Sequence, residues 1–176
     1  MAVIEAIATT YLEADATSVT FSGISGSYEH LQLRMSLRSQ DSGTGGYWGN
    51  IKVRLNDSSA YSYHSLGGGD PLAAGSNAAR VVNYSPDTYV NAGYASNDLH
   101  DAANYTSGVI DILDYADDGN KNTTMLFLTG HTGTNPAVFT GSGLWDNTDD
   151  VTSVTVLSNS GLWRGSEFTL YGLNSS

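Results

Sequence analysis

The residues of this chain that could carry catalysis are its histidines and its carboxylates. The four histidines, His30, His64, His100 and His131, are far apart, and none stands in a His-x-His or His-Glu-x-x-His arrangement that supplies metal ligands from one element. The sequence contains no Gly-x-Ser-x-Gly segment that would present a nucleophilic serine. We therefore predict no catalytic residue, no metal ligand and no cofactor site, and we expect a protein that is not an enzyme.

A glycosidase-like pair of carboxylates is the remaining catalytic hypothesis, because that chemistry needs only two acidic groups at a fixed separation. Glu29 and Glu167 are candidates for such a pair. With 18 acidic residues in the chain, however, some pair always looks suitable. A polysaccharide-cleaving enzyme is therefore the least favoured of the functions considered.

Acidic turns offer oxygen ligands that a hard cation such as calcium accepts. Asp114, Asp117, Asp118 and Asn120 form one such group, and residues 145–150 form another. The first group lacks the spacing and the final bidentate Glu of an EF-hand loop. Turn preference alone explains these residue types, and we favour solvated turns over cation sites.

Composition predicts one β-rich domain spanning residues 1–176. The chain has 20 glycines, eleven tyrosines and only 14% charged residues, and no window shows sustained helical periodicity. The net charge of −11 repels phosphate backbones and anionic lipid surfaces, so we expect neither nucleic acid nor membrane as a partner. There is no cysteine to indicate a redox compartment.

The N-terminal segment, residues 1–12, alternates loosely and predicts either an arm that lies on a neighbouring subunit or an edge strand. It has no basic region ahead of its apolar run, and Glu5 interrupts that run. These features argue against a signal peptide, and no later run approaches the length of a transmembrane helix.

A hairpin at residues 107–130 is the predicted centre of the fold. Two β-prone runs, residues 109–113 and 123–129, flank an Asp-Asp-Gly-Asn turn. Both runs carry apolar residues at adjacent positions, which is typical of strands covered on both faces. We therefore expect this hairpin in the middle of a sheet with other strands packed around it.

Two further segments alternate strictly, with apolar side chains on one face and polar ones on the other. Residues 30–38 and 51–55 show this pattern, and the Gly-rich residues 41–46 between them predict a second hairpin. Together the candidate strands, about eight, predict an all-β fold, a two-sheet antiparallel β-sandwich that is jelly-roll-like.

Basic residues concentrate on the strands of this second hairpin. Arg34, Arg38, Lys52 and Arg54 are four of only seven, and pairing of the two strands would place all four on one face. Like charges on neighbouring strands need acidic partners. Asp111 and Asp114 within the chain are the favoured source; an acidic neighbouring subunit, docking on this face, is the other.

Aromatic residues near the predicted loops suggest a second contact surface. Tyr61, Tyr63, Trp145 and Trp163 suit a sugar-stacking platform, protein-interface anchors or core filling equally well by residue type. Trp163 has the surroundings of a core residue. Tyr47 and Trp48, beside a Gly-rich turn, are the candidates for aromatic contact with a partner.

A set of strand and turn segments extends from about residue 11 to residue 173. Its members are residues 30–34, 54–57, 61–64, 110–115, 121–124, 142–148, 151–154 and 165–172. Together they resemble a family of short tailed-bacteriophage virion structural proteins. The resemblance lies in strands and turns, and it brings no active-site motif.

The resemblance implies a structural component of a phage particle, most readily a capsid decoration (cement) protein on the capsid exterior. Its partners would be the major capsid protein or other virion subunits, and the assembly it implies is a closed homo-oligomer, expected to be a trimer. The alternative is a small tail or fibre module that binds a host receptor or glycan through its Tyr and Trp loops.

Overall fold

The computed structural model describes residues 3–40, 48–69, 80–97, 103–117, 119–132 and 136–174, and of residues 48 and 80–85 it describes the backbone alone. The strands are β1 (Val3–Tyr11), β2 (Ala16–Ser22), β3 (His30–Leu37), β4 (Trp48–Leu55), β5 (Tyr61–Gly69), β6 (Arg80–Asp87), β7 (Val90–Ser96), β8 (Thr106–Leu113), β9 (Thr124–His131), β10 (Ala137–Trp145), β11 (Ser153–Leu162) and β12 (Glu167–Asn174). These residues include no helix with the length and hydropathy needed to cross a membrane.

The strands form two antiparallel sheets. The larger has eight strands in the order β1-β12-β3-β8-β9-β10-β5-β6, and the smaller has four in the order β2-β11-β4-β7. The predicted all-β, two-sheet sandwich is confirmed. The described strands number twelve rather than about eight.

The predicted central hairpin is strands β8 and β9. They pair from Ser107 opposite Gly130 to Leu113 opposite Thr124, and they are the fourth and fifth strands of the larger sheet. The central position is therefore confirmed. The expectation that both faces are covered is wrong for β9, because the smaller sheet covers one face only and leaves Leu126 and Leu128 each 51% exposed on the other.

The predicted hairpin between residues 30–38 and 51–55 is wrong, although both strands exist. β3 lies between β12 and β8 in the larger sheet, whereas β4 lies between β11 and β7 in the smaller one. Each strand still turns its alternating apolar side chains inward, so Leu31 and Leu33 from β3 and Ile51 and Val53 from β4 are fully buried. Alternation predicts which residues face the core, but it does not predict the neighbouring strand.

The core lies between the two sheets. Two buried tyrosines connect separate segments of the chain through hydrogen bonds of their hydroxyl groups. The Tyr61 hydroxyl on β5 donates to the carbonyl of Leu55 on β4 at 3.0 Å and accepts from the Leu55 N–H at 2.7 Å, which joins the larger sheet to the smaller one. The Tyr115 hydroxyl donates to the Ser25 carbonyl at 2.6 Å and accepts from the Tyr28 N–H at 3.1 Å. Burial raises the pKa of both phenols.

Candidate protein-binding surface

The outer face of the larger sheet, which points away from the smaller sheet, exposes a cluster of aliphatic side chains. The apolar patch consists of Leu66 (48% exposed), Leu126 (51%), Leu128 (51%) and Val138 (52%). Strand register brings them together: Leu128 and Leu66 lie on either side of Thr140 on β10, and Val138 lies opposite Gly130, two residues along β9 from Leu128. Contiguous apolar side chains on a surface are typical of a protein-binding site.

A polar network occupies the neighbouring strands of the same face. Arg34 Nε on β3 donates to Gln32 Oε1 at 2.8 Å, and Gln32 Nε2 donates to Asp111 Oδ1 on β8 at 2.7 Å. The Arg34 guanidinium also lies over the ring of Tyr171 on β12, 5.1 Å from the ring centroid. These contacts fix the direction of the guanidinium on an otherwise open surface.

A groove of about 800 Å³ runs between the polar network and the apolar patch. Arg34, Tyr171 and Glu167 line its polar side, and Val109, Leu128 and Val138 line its apolar side. Residues with hydroxyl-bearing side chains also line it, among them Ser36, Tyr105, Ser107, Thr132 and Thr169. A groove with one cation, several hydroxyls and an aliphatic wall is suited to holding a segment of another protein.

The prediction that the four basic residues share one contact face is wrong, because β3 and β4 belong to different sheets. Arg34 is on the outer face of the larger sheet, whereas Lys52 and Arg54 are on the smaller sheet, beside Tyr89 and Asp57 respectively.

Arg38 is 3% exposed and has a structural environment. Its Nε donates to the Asn97 carbonyl at 3.1 Å, and its guanidinium lies 5.0 Å from the centroid of the Trp163 ring. Of the four predicted contact residues, only Arg34 reaches the groove.

The acidic residues expected to neutralise these cations do so only in part. Asp111 reaches Arg34 through Gln32, not directly. Asp114 instead lies 3.7 Å from the Nζ of Lys121, which is also 3.9 Å from a carboxylate oxygen of Asp117. The Lys121 ammonium thus lies beside two of the carboxylates of this turn.

No cluster of three or more His, Asp or Glu residues suited to a metal ion occurs in the described parts of the chain. Asp118 lies outside the described residues. In the second acidic turn, Asn147 donates to Asp149 at 3.0 Å and accepts from the Asp149 backbone N–H at 2.9 Å, a hydrogen-bonding pattern typical of a self-contained turn.

The aromatic residues divide between the core and the surface. Tyr61, Tyr63 and Trp145 are buried, so they fill the core rather than a sugar-stacking platform. Trp163, predicted in the core, is half-buried against Arg38. The candidate contact residues Tyr47 and Trp48 cannot be placed on this surface, because Tyr47 and the Trp48 side chain lie outside the described residues.

The glycosidase-like pair does not assemble. The Glu29 N–H donates to the Leu173 carbonyl near the end of β12, whereas Glu167 is the first residue of that strand. Six residues of extended chain separate the two sites by about 20 Å. Two catalytic carboxylates need a separation below about 10 Å, so Glu29 and Glu167 do not form such a pair.

The fold and the surface define a class of protein: a two-sheet β-sandwich whose larger sheet presents an apolar patch and a groove to the outside. No protein-family model matches the chain, and no curated protein matches it significantly.

Sequence patterns did not predict the patch, although a signal was present. Residues 125–128 of β9 are all apolar, and on a strand with one covered face this places every second residue in solvent.

Proposed function

We propose that this chain is a non-enzymatic structural protein of a phage virion, a capsid decoration (cement) protein that binds the shell through the outer face of its larger sheet. The apolar patch is the observation that carries the proposal. Four half-exposed aliphatic side chains on one sheet face leave a contiguous apolar area in water, and a partner subunit would cover it. The resemblance to phage virion proteins supports the choice of partner.

Energetics favour an assembly with several contacts over a single one. Moving four half-exposed aliphatic side chains out of water contributes about 3–6 kcal/mol, since full burial of one such side chain is worth about 1.5–3 kcal/mol. Association costs about 4–15 kcal/mol in lost translational and rotational freedom. The patch alone therefore holds one protomer weakly, and a homo-oligomer, which we expect to be a trimer, would gain by binding several capsid subunits at once.

The net charge of the chain supports a position on the capsid exterior. The chain carries a net charge of −11, which favours solubility of the surfaces that remain in water. In the proposed mechanism each protomer bridges neighbouring capsid subunits, and the summed interface burial opposes the internal pressure of the packaged particle.

The test uses phage particles assembled without this protein. Adding the wild-type chain should produce stoichiometric co-sedimentation with these particles and should raise the temperature at which they release DNA. Leu128→Asp should weaken binding about ten-fold or more, because the partner would bury an unpaired carboxylate. Ser18→Asp, which adds the same charge to the exposed side of β2 in the smaller sheet, is the matched control and should bind as wild type.

Absence of wild-type binding, or binding that leaves the release temperature unchanged, would contradict the decoration role. Equal binding by Leu128→Asp and Ser18→Asp would show that the outer face of the larger sheet is not the contact surface.

A further inference from the structure

We infer that the groove receives a carboxylate-bearing segment of the partner subunit, with the Arg34 guanidinium as its ion-pair partner and the apolar patch as the seat for the segment's aliphatic or aromatic side chains. The inference rests on the proposed function, since it identifies the chemistry of the partner that the outer face binds. It concerns one side chain, however, and it can fail while the proposed function stands.

Arg34 has unused hydrogen-bonding capacity directed at the groove. Its Nε donates to Gln32, but within the described ranges its two terminal nitrogens form no hydrogen bond and no ion pair. A guanidinium carries five N–H donors, so four remain for a ligand. Two of them, in a parallel pair, match the geometry of a carboxylate.

The environment of Arg34 favours an external anion over an internal one. Only seven of the chain's residues are lysine or arginine, against 18 acidic residues, yet Asp111 is linked to Arg34 only through Gln32 and forms no direct ion pair with it. The contacts with Gln32 and the Tyr171 ring hold the guanidinium in place before binding, which lowers the entropy cost of forming a new ion pair. Charge complementarity therefore predicts a partner that presents Asp or Glu.

The positions of Arg34 and Leu128 set a spacing that a bound segment should match. Arg34 on β3 and Leu128 on β9 are two strands apart, which corresponds to about 10 Å at the usual strand spacing. A bound segment should therefore carry its carboxylate about 10 Å from the apolar side chain that contacts the patch. Glu167, which also lines the groove and forms no ion pair with Arg34, is available to accept a hydrogen bond from the same segment.

The experiment measures co-sedimentation of purified variants with particles that lack the protein, at about 0.05 M and about 0.5 M salt. Arg34→Gln should weaken binding about ten-fold at low salt and should reduce the salt dependence, because it removes one interfacial charge pair. Arg34→Lys should restore part of the affinity through its charge. Arg54→Gln on the smaller sheet is the matched control and should bind as wild type.

A second pair of variants tests the same ion pair with Arg34 intact. Val109 lies directly opposite Arg34 in the β3–β8 ladder, so Val109→Glu supplies an internal carboxylate within reach of the guanidinium. Val109→Glu should bind about ten-fold more weakly than Val109→Gln, which has the same shape without the charge. Thermal unfolding of each variant confirms that it is folded.

The outcomes separate the two proposals. Binding by wild type that is weakened by Leu128→Asp but unchanged in Arg34→Gln and equal in the Val109 pair would overturn the carboxylate inference and leave the decoration role standing. No binding by wild type would overturn both. Weakening by Arg34→Gln with Arg54→Gln unchanged, together with weaker binding by Val109→Glu than by Val109→Gln, supports the inference.

Discussion

Replacing Tyr61 with phenylalanine should destabilise the sandwich by removing one oxygen that joins its two sheets. The Tyr61 hydroxyl contacts both backbone polar groups of Leu55, and both residues are buried. Phenylalanine retains the ring, so the substitution leaves no large cavity. The effect should therefore come from hydrogen bonding alone.

The two lost hydrogen bonds are unequal. The Leu55 carbonyl still accepts from the Ser58 N–H at 3.0 Å, so its loss amounts to one net hydrogen bond, about 1 kcal/mol. The Leu55 N–H loses its 2.7 Å bond to the hydroxyl, and a buried unsatisfied donor costs about 1–3 kcal/mol. The sum is about 2–4 kcal/mol, which for a chain of this length corresponds to a fall in Tm of about 5–15 °C.

Urea denaturation and calorimetry measure this loss directly. Tyr11→Phe is the matched control, because it removes the hydroxyl of a tyrosine that is 56% exposed on the edge strand β1. We expect that control to change stability by less than about 0.5 kcal/mol. If Tyr61→Phe costs no more than Tyr11→Phe, the reasoning that this hydroxyl links the sheets is refuted.

Gly143→Ala should destabilise the protein by about 1–3 kcal/mol through overpacking, because the added Cβ would lie 2.6 Å from a Val90 methyl on the facing sheet. Gly68→Ala, whose Cβ meets nothing within 4 Å, is its control in the same denaturation assay, and equal losses would contradict the close approach. Alkaline pH should also destabilise the fold, because burial raises the pKa of Tyr61 and Tyr115 above the 10.0 of an unfolded chain. The contribution of these two phenols to stability is complete below pH 10.0 and is lost as the pH rises through the folded-state pKa. The urea midpoint should therefore fall less steeply between about pH 9 and pH 11 in Tyr61→Phe than in wild type. An equal fall in the two proteins would contradict this.

The arrangement of the molecule places different properties on its two outer surfaces. The outer side of the larger sheet carries the apolar patch and the groove. The outer side of the smaller sheet is polar, with Thr20 hydrogen-bonded to Thr155 and Arg54 to the Thr88 carbonyl. The proposed role, in which one side binds the capsid and the other faces solvent, predicts this asymmetry.

Local sequence pattern determined which side chains are inside the sandwich. Alternation on β3 placed Leu31 and Leu33 in the core, and the turn at residues 117–120 correctly predicted that β8 and β9 pair. Such predictions succeed because each depends on one strand's two-residue period or on a short turn between adjacent strands.

Only the tertiary structure decided which strands distant in the sequence are neighbours, and with them the composition of the outer surfaces. β3 pairs with β12, more than a hundred residues away, rather than with β4, and this separates Arg34 from Lys52 and Arg54. The two-sheet arrangement also leaves Leu126 and Leu128 exposed, because the four-stranded sheet covers only one face of the eight-stranded sheet. Pairing between distant strands depends on the summed hydrogen bonding and packing of the whole sandwich, which no local pattern of residues contains.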